Sequence, residues 1–192
     1  MYEVSIIERT KGFFKESIEV IKNGDILVKE CIKNKFPLAD IAITFRDEYL
    51  IRKMYRFFSN ISETSFEERN KIIKKLQNEK IIESIIIAID RIDLEDKVDY
   101  YSKLIILLCR EEIDVNLFHR CCKILENYSY DDVSNFSRKE SYNIVDGDDV
   151  IAFSMGLLQN KPQGKGTPIS ALGLTELVLS KAGEIFLKLN NM

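Results

Sequence analysis

Apolar residues recur three and four positions apart along most of this chain, and the pattern changes only towards its C-terminal end. Ile6, Ile7, Phe14, Ile18 and Ile21 follow the helical period, and Gly24 suits the left-handed residue that often ends a helix. DILVKECIKNKF predicts a second helix that Pro37 breaks, and LADIAITFRDEYLIRKMYRFFSNI predicts a long third segment rich in aromatics. Ser65-Phe66-Glu67-Glu68 spells a capping box, in which the serine hydroxyl accepts from the Glu68 N–H while the Glu68 carboxylate reaches back to the cap. Two short antiparallel helices follow, ERNKIIKKLQ and EKIIESIIIAIDRI, the second with apolar residues at 81, 82, 85, 86 and 89 on one face. The acids from Asp93 to Asp96 repeat the capping logic before DKVDYYSKLIILLCR. Asp114 opens DVNLFHRCCKILENY, and Ser129 opens a short helix, SYDDVSNFSRK.

After that helix, NIVDGDDVIAFSMGLLQ and ISALGLTELVLS carry β-branched and aromatic residues beside turn residues and predict two strands. SKAGEIFLKLNN then predicts a closing helix with Ser180 as its cap. Between the strands, Gly164-Lys165-Gly166-Thr167 has the residue types of a phosphate-binding loop without its G-x-x-x-x-G-K-S/T spacing. Gly156 lies too far before Gly164, Gly166 stands where Ser or Thr is needed, and Pro168 leads into a strand instead of a helix. A hairpin tip is the expected structure, with Lys161 and Lys165 projecting from it. Helix, helix, strand, tip, strand is the order of a winged helix. The expected fold is mainly α: a multi-helix bundle over residues 1–111 and a C-terminal winged-helix-like subdomain with a small β-hairpin over 112–192, or the two as one continuous domain.

Composition narrows the partners. The 192 residues, 45% of them hydrophobic, suffice for a packed core without staples. With 31 acidic against 28 basic side chains, no global cationic field draws the chain onto nucleic acid or an anionic membrane. Cys31, Cys109, Cys121 and Cys122 lack C-x-x-C spacing, and only His119 lies near them, so buried reduced thiols are expected instead of a zinc site. MYEVSIIERTKGFF lacks the continuous apolar core of a signal peptide, and KFPLADIAITF is too short to span a bilayer, so a soluble, cytoplasmic protein is expected.

Candidate chemistry is sparse. The basic stripes Arg46, Arg52, Lys53, Arg56 and Lys71, Lys74, Lys75, Lys80 are interleaved with acids and read as solvated helix faces. Asp146, Asp148 and Asp149 around Gly147 lack the spacing of a calcium loop and read as an acidic turn. His119 and Cys122, at i and i+3, are the one base–nucleophile candidate, with no third group to orient the imidazole. For nucleic acid, Arg138 and Lys139 with Lys161 and Lys165 on the tip form the candidate binding set, with Ser134 and Asn135 on the same helix. Asp131 and Asp132 at that helix start oppose DNA phosphates and suit a helix N-terminus.

The run FRDEYLIRKMYRFFSNISETSFEERNKIIKKLQ, the following IIIAIDRIDLEDKVDYYSKLIILLCREEIDVNLFHRCCKILENYSYDDVSNF and the closing GLTELVLSKAGEIFLKL together resemble bacterial and phage proteins of the abortive-infection alpha type. The resemblance spans roughly residues 45 to 190, rests on packing and capping residues, and carries no catalytic residue across. Many of those proteins have a membrane-associated segment before the helical region; KFPLADIAITF departs from it, which turns the expectation away from membrane action. The expected function is a non-enzymatic macromolecule-binding protein of a phage–host conflict system, with its aromatic third helix and its wing as contact surfaces and no cofactor or metal. Its expected partner is another protein, a second copy of the chain included. A winged-helix DNA-binding regulator is the alternative, and an enzyme using His119 the second alternative.

Overall fold

Two aromatic side chains on the first described helix set the packing of everything around it. The structure is a computed structural model that describes residues 11–19, 21, 45–77, 79–143, 146–161 and 177–192. Among these residues it is mainly helical with one two-stranded antiparallel sheet, and the chain divides into two units, Met1–Phe118 and His119–Met192. No helix among the described residues is long and apolar enough to cross a membrane.

In the first unit, helix α1 (residues 11–19) buries Phe13 and Phe14 against α2 (Phe45–Ser62), whose Leu50, Met54, Phe57, Phe58 and Ile61 fall on one helical stripe. Phe13 meets Tyr55 edge-on with ring centres 5.1 Å apart, and Phe14 meets Phe58 in the same manner at 4.8 Å. Phe57 and Phe58 are therefore core and fully covered, which removes them from the expected contact surface of this helix, while Tyr49 and Tyr55 are half-buried. The capping box at Ser65 forms as expected and starts α3 (Phe66–Leu76). Helix α4 (Glu79–Arg91) buries Ile82, Ile85, Ile86 and Ile89, and α5 (Lys97–Cys109) is buried nearly all round.

Of the first basic stripe, Arg52 is exposed as expected, whereas Lys53 and Arg56 are drawn into the fold. Lys53 is 1% exposed, and its ammonium donates to the carbonyls of Asp90 at 3.0 Å and Ile92 at 2.8 Å, placing a cation where the C-terminus of α4 leaves acceptors unsatisfied. Arg56 forks onto Asp99 at 2.7 and 2.6 Å and also reaches Asp96 at 2.6 Å, while Asn60 donates to Asp99 at 2.8 Å. Of the acids from Asp93 to Asp96 expected to cap α5, Asp96 has helical backbone angles and makes no capping hydrogen bond, and its carboxylate pairs with Arg56. The helices at DILVKECIKNKF and around Pro37, the cap at Gly24, and Cys31 lie outside the described residues.

The division between units falls inside α6 (Val115–Asn127), whose start Asp114 caps by accepting from the Leu117 N–H at 2.8 Å, as expected. Helix α7 (Tyr130–Ser134) begins at its Ser129 cap but ends five residues on, where a run to Lys139 was expected. Its closing carbonyls are diverted: the Asn190 side-chain amide donates to Val133, Ser134 and Phe136 at 3.1, 3.2 and 2.9 Å. Within the strand expected across NIVDGDDVIAFSMGLLQ the central residues form helix α8 (Gly147–Ser154), and only its last two residues are extended in a sheet. Asp146 accepts from the Asp148 N–H at 2.9 Å, and Asp148 and Asp149 suit the positive helix start, so capping overrides the β-branched composition.

Helix α8 closes in a Schellman turn. The Leu157 N–H donates to the Ala152 carbonyl, the Gly156 N–H donates to the Phe153 carbonyl, and Gly156 takes φ +78°. The chain then enters strand β1 (Leu158–Asn160), which pairs with β2 (Leu177–Leu179) so that Leu158 faces Leu179; Tyr142 bridges to Leu177. The expected hairpin pairing is present, while residues 162–176, with Gly164, Lys165, Gly166, Thr167 and Pro168, lie outside the described residues. Ser180 caps helix α9 (Lys181–Asn190) by accepting from the Gly183 N–H at 3.1 Å, as expected.

Two stability outcomes follow. A Cβ on Gly183 would lie 2.1 Å from the Leu157 carbonyl oxygen. Gly183→Ala should therefore destabilise the second unit by at least about 2 kcal/mol in urea denaturation, the backbone overlap outweighing the roughly 1 kcal/mol that Ala gains over Gly in a helix. In the first unit, burial pushes the Asp99 carboxyl up, but the Arg56 fork and the Asn60 amide outweigh it and hold it below the usual carboxylate range. Its stabilisation is present above the ordinary carboxylate pKa of about 4 and is lost as pH falls through the lower folded value. Asp99→Asn should cost about 1 kcal/mol at neutral pH and flatten that acid limb in pH-dependent denaturation.

Candidate functional site

The second unit places its chemistry along residues 135–143, an irregular segment between α7 and α8. Lys139 is the anchor on one side of it. Its ammonium bonds Asp146 at 3.0 Å and Asp149 at 2.8 Å, and Asp149, 2% exposed, also accepts from the Asn143 N–H at 2.8 Å. These two carboxylates hold the Lys139 ammonium well above its usual range, and Lys139 in turn holds the Asp146 carboxyl below its own. The acidic turn is thus a helix cap with its own counter-ion, and it fixes the segment before α8 onto the start of that helix. A cavity of about 350 Å³ lies there, walled by Phe136, Tyr142, Ile151 and Met155 and edged by Asp132 and Lys139.

Arg138 points the other way. It is exposed, forms no hydrogen bond or ion pair among the described residues, and edges a groove of about 570 Å³ that α9 completes with Glu184, Leu187, Lys188, Asn190 and Asn191. Phe136 and Ser137 line both hollows. The neighbours Arg138 and Lys139, expected to act together, are therefore separated: one guanidinium faces the groove, and one ammonium is spent on carboxylates. Lys161 is exposed just beyond β1 and lines neither hollow, and Lys165 lies outside the described residues. The groove residues on α9 went unread in the sequence, although Glu184, Lys188 and Asn191 recur at the spacing of one helix face.

The base–nucleophile candidate has different geometry from what its chemistry needs. His119 is exposed, whereas Cys121 is fully buried, and burial pushes the Cys121 thiol up to about 12 despite the nearby Arg120 cation. Burial pushes the Cys122 thiol higher still, with Cys121 and Glu126 adding to it, and raises Cys109 as well. A thiolate is the reactive form of cysteine, and these surroundings oppose it. Among the described residues no group of three His, Cys, Asp or Glu side chains could hold a metal ion.

On its solvent side, α8 carries Val150 and Ile151, 42% and 43% exposed, directly after Asp148 and Asp149, while Ala152 and Asp149 face inward. No family model matches the chain, and no curated protein or solved structure matches it either.

The Lys139 clamp predicts a specific outcome. Lys139→Met leaves Asp149 buried without its cation and should lower the melting temperature of the second unit by several degrees, whereas Lys123→Gln on the exposed side of α6 should leave it in place. Equal melting curves for the two variants would contradict the clamp.

Proposed function

We propose that this chain is a non-catalytic macromolecule-binding protein whose partner is another protein. The observation that carries the reading is the exposed Val150–Ile151 pair on α8, an apolar face on a short helix that Asp146, Lys139 and the Schellman turn hold in place. Two adjacent half-exposed aliphatic residues on a fixed helix suit a protein contact, whereas nucleic acid is met by cations and donors. A place in a phage–host conflict system rests on the resemblance of residues 45–190 to abortive-infection alpha proteins. A cytoplasmic setting accords with the free thiols of Cys109, Cys121 and Cys122.

The helices before a paired hairpin, with Tyr142 bridging to β2, support the winged-helix-like description of the second unit. That description keeps a DNA-binding regulator as the second reading, with exposed Arg138 and Lys161 in its favour. The helix that leads into the hairpin starts with Asp146, Asp148 and Asp149, however, and phosphates approaching that end would meet carboxylates. Protein binding is the stronger reading for that reason.

Val150→Ser with Ile151→Ser should leave the melting temperature nearly unchanged, since both side chains are half in solvent, and should weaken partner binding by about tenfold. Partners recovered from native lysate by the wild type should be lost from the double variant. Recovery of the same partners by both proteins, or turnover of a small substrate by the pure chain, overturns the reading. A duplex mobility shift that fades steeply with salt would transfer the function to DNA.

A further inference from the structure

Two stripes at helical spacing line the cavity beside α8. Asp148, Ile151, Ala152 and Met155 share one face of α8 and its closing turn, and Asp132, Asn135 and Phe136 follow the same spacing at the end of α7. Each stripe starts on a carboxylate and ends on an apolar side chain. Ala152 and Met155 are buried, Phe136 is half-buried and Ile151 is 43% exposed, so the apolar lining runs from the interior out to solvent. The buried Tyr142 ring adds to the wall, and its hydroxyl accepts from the Lys139 N–H at 3.2 Å. Because Ile151 belongs to both, the cavity and the exposed Val150–Ile151 face form one continuous surface.

Charge selects what that surface takes. The lining holds three carboxylates, those of Asp132, Asp148 and Asp149, against the one ammonium of Lys139. Lys139 is already shared between Asp146 and Asp149 and does not serve the other two. Asp132 accepts from the Ser129 hydroxyl at 2.7 Å, and neither Asp132 nor Asp148 meets a cation among the described residues. Phosphates are repelled from such a lining. Among the described residues no three acidic side chains gather closely enough to hold a metal ion, so the complement is an extended organic cation with an apolar part.

An arginine side chain meets both demands. Its aliphatic stem lies along apolar walls, its plane stacks on aromatic rings, and its fork of donors suits two separate carboxylates. Arginine is also prominent among the residues that carry interface energy. Building on the protein-binding reading of α8, we infer that the cavity receives an arginine from a basic, aliphatic-rich segment of the partner protein. The arginine stem lies against Phe136, Tyr142 and Ile151, its guanidinium meets Asp132 and Asp148, and an aliphatic neighbour covers Val150.

Fluorescence anisotropy of the full chain with short labelled peptides tests the arginine site. One set carries arginine flanked by leucines in varied sequence, matched sets carry lysine, citrulline or glutamate in its place, and a short oligonucleotide is the further probe. Saturable binding of arginine peptides at submillimolar concentration is expected, weaker by about tenfold or more with uncharged citrulline and absent with glutamate. Asp132→Asn and Asp148→Asn should each weaken it by about fivefold, with melting temperatures unchanged. Glu126→Gln, the same charge change on α6 outside the cavity lining, should not weaken it. The methyl resonances of Ile151 and Met155 should shift on titration, and those of Leu104 in the first unit should stay in place. Binding by no arginine peptide, equal binding of the citrulline set, an equal loss in Glu126→Gln, or tighter binding of the oligonucleotide overturns the inference. If the Val150/Ile151 double variant loses its partners while no arginine peptide binds, the arginine site alone has failed. If the double variant keeps the same partners, the protein-binding reading of α8 falls and takes the arginine site with it.

Discussion

Two consecutive peptide carbonyls, those of Gly156 and Leu157, hold the second unit together. The Gly156 oxygen accepts from the Ser180 hydroxyl at 2.6 Å and from Arg120 at 3.2 Å, and the Leu157 oxygen accepts from the Ser180 N–H at 2.9 Å. Ser180 in the same position caps α9, so the end of one helix, the start of the hairpin and the start of the last helix meet at three or four residues. Only a glycine at 183 lets α9 approach so near. The groove and the exposed face of α8 both inherit their geometry from this junction, because α9 is one wall of the groove and α8 ends where the junction begins.

The first unit solves a different problem, with cations where a simpler protein would place leucines. Lys53 and Lys97, each 1% exposed, and the half-buried Arg56 end on helix-terminal carbonyls or on Asp93, Asp96 and Asp99. Removing a charge from water is costly, and such a side chain is tolerated only when its partners are in place. These groups fix which helix ends lie opposite which. Aliphatic packing alone, with Ile and Leu on most faces, would allow several registers. Lys53 and Arg56, which read as part of a solvated helix face, are thereby taken up by the fold.

Much of the helical architecture could be read from spacing, because Ile82, Ile85, Ile86 and Ile89 or the Ser65 capping box state their structure locally. The structure departs from the pattern where a distant group decides the outcome, and at α8, where a local cap outweighs composition. Lys53 lies within the stripe formed by Leu50, Met54 and Phe57, a position that marks it as inward-facing, yet a lysine beside an arginine reads as surface until its carbonyl partners, 37 and 39 residues away, are known. VIAF looked like a strand because its β-branched composition was weighed above Asp146, whose cap makes it a helix. The groove was the least legible feature. Its Arg138 was visible as a candidate, but its other wall comes from α9, and no local pattern links position 138 with 188.

Asn190 has a consequence for the order in which the molecule is made. Its amide grips carbonyls 54 to 57 residues earlier in the chain. At a synthesis rate of about 5–20 residues per second, those carbonyls wait several seconds for the side chain that receives them. During that interval the segment after Ser134 lacks the contact that ends α7, and its carbonyls are open to other donors, including the N–H groups of a longer helix. The second unit therefore acquires its final chain path late, when α9 arrives, and a nascent chain stalled before that point holds neither wall of the groove in its finished place.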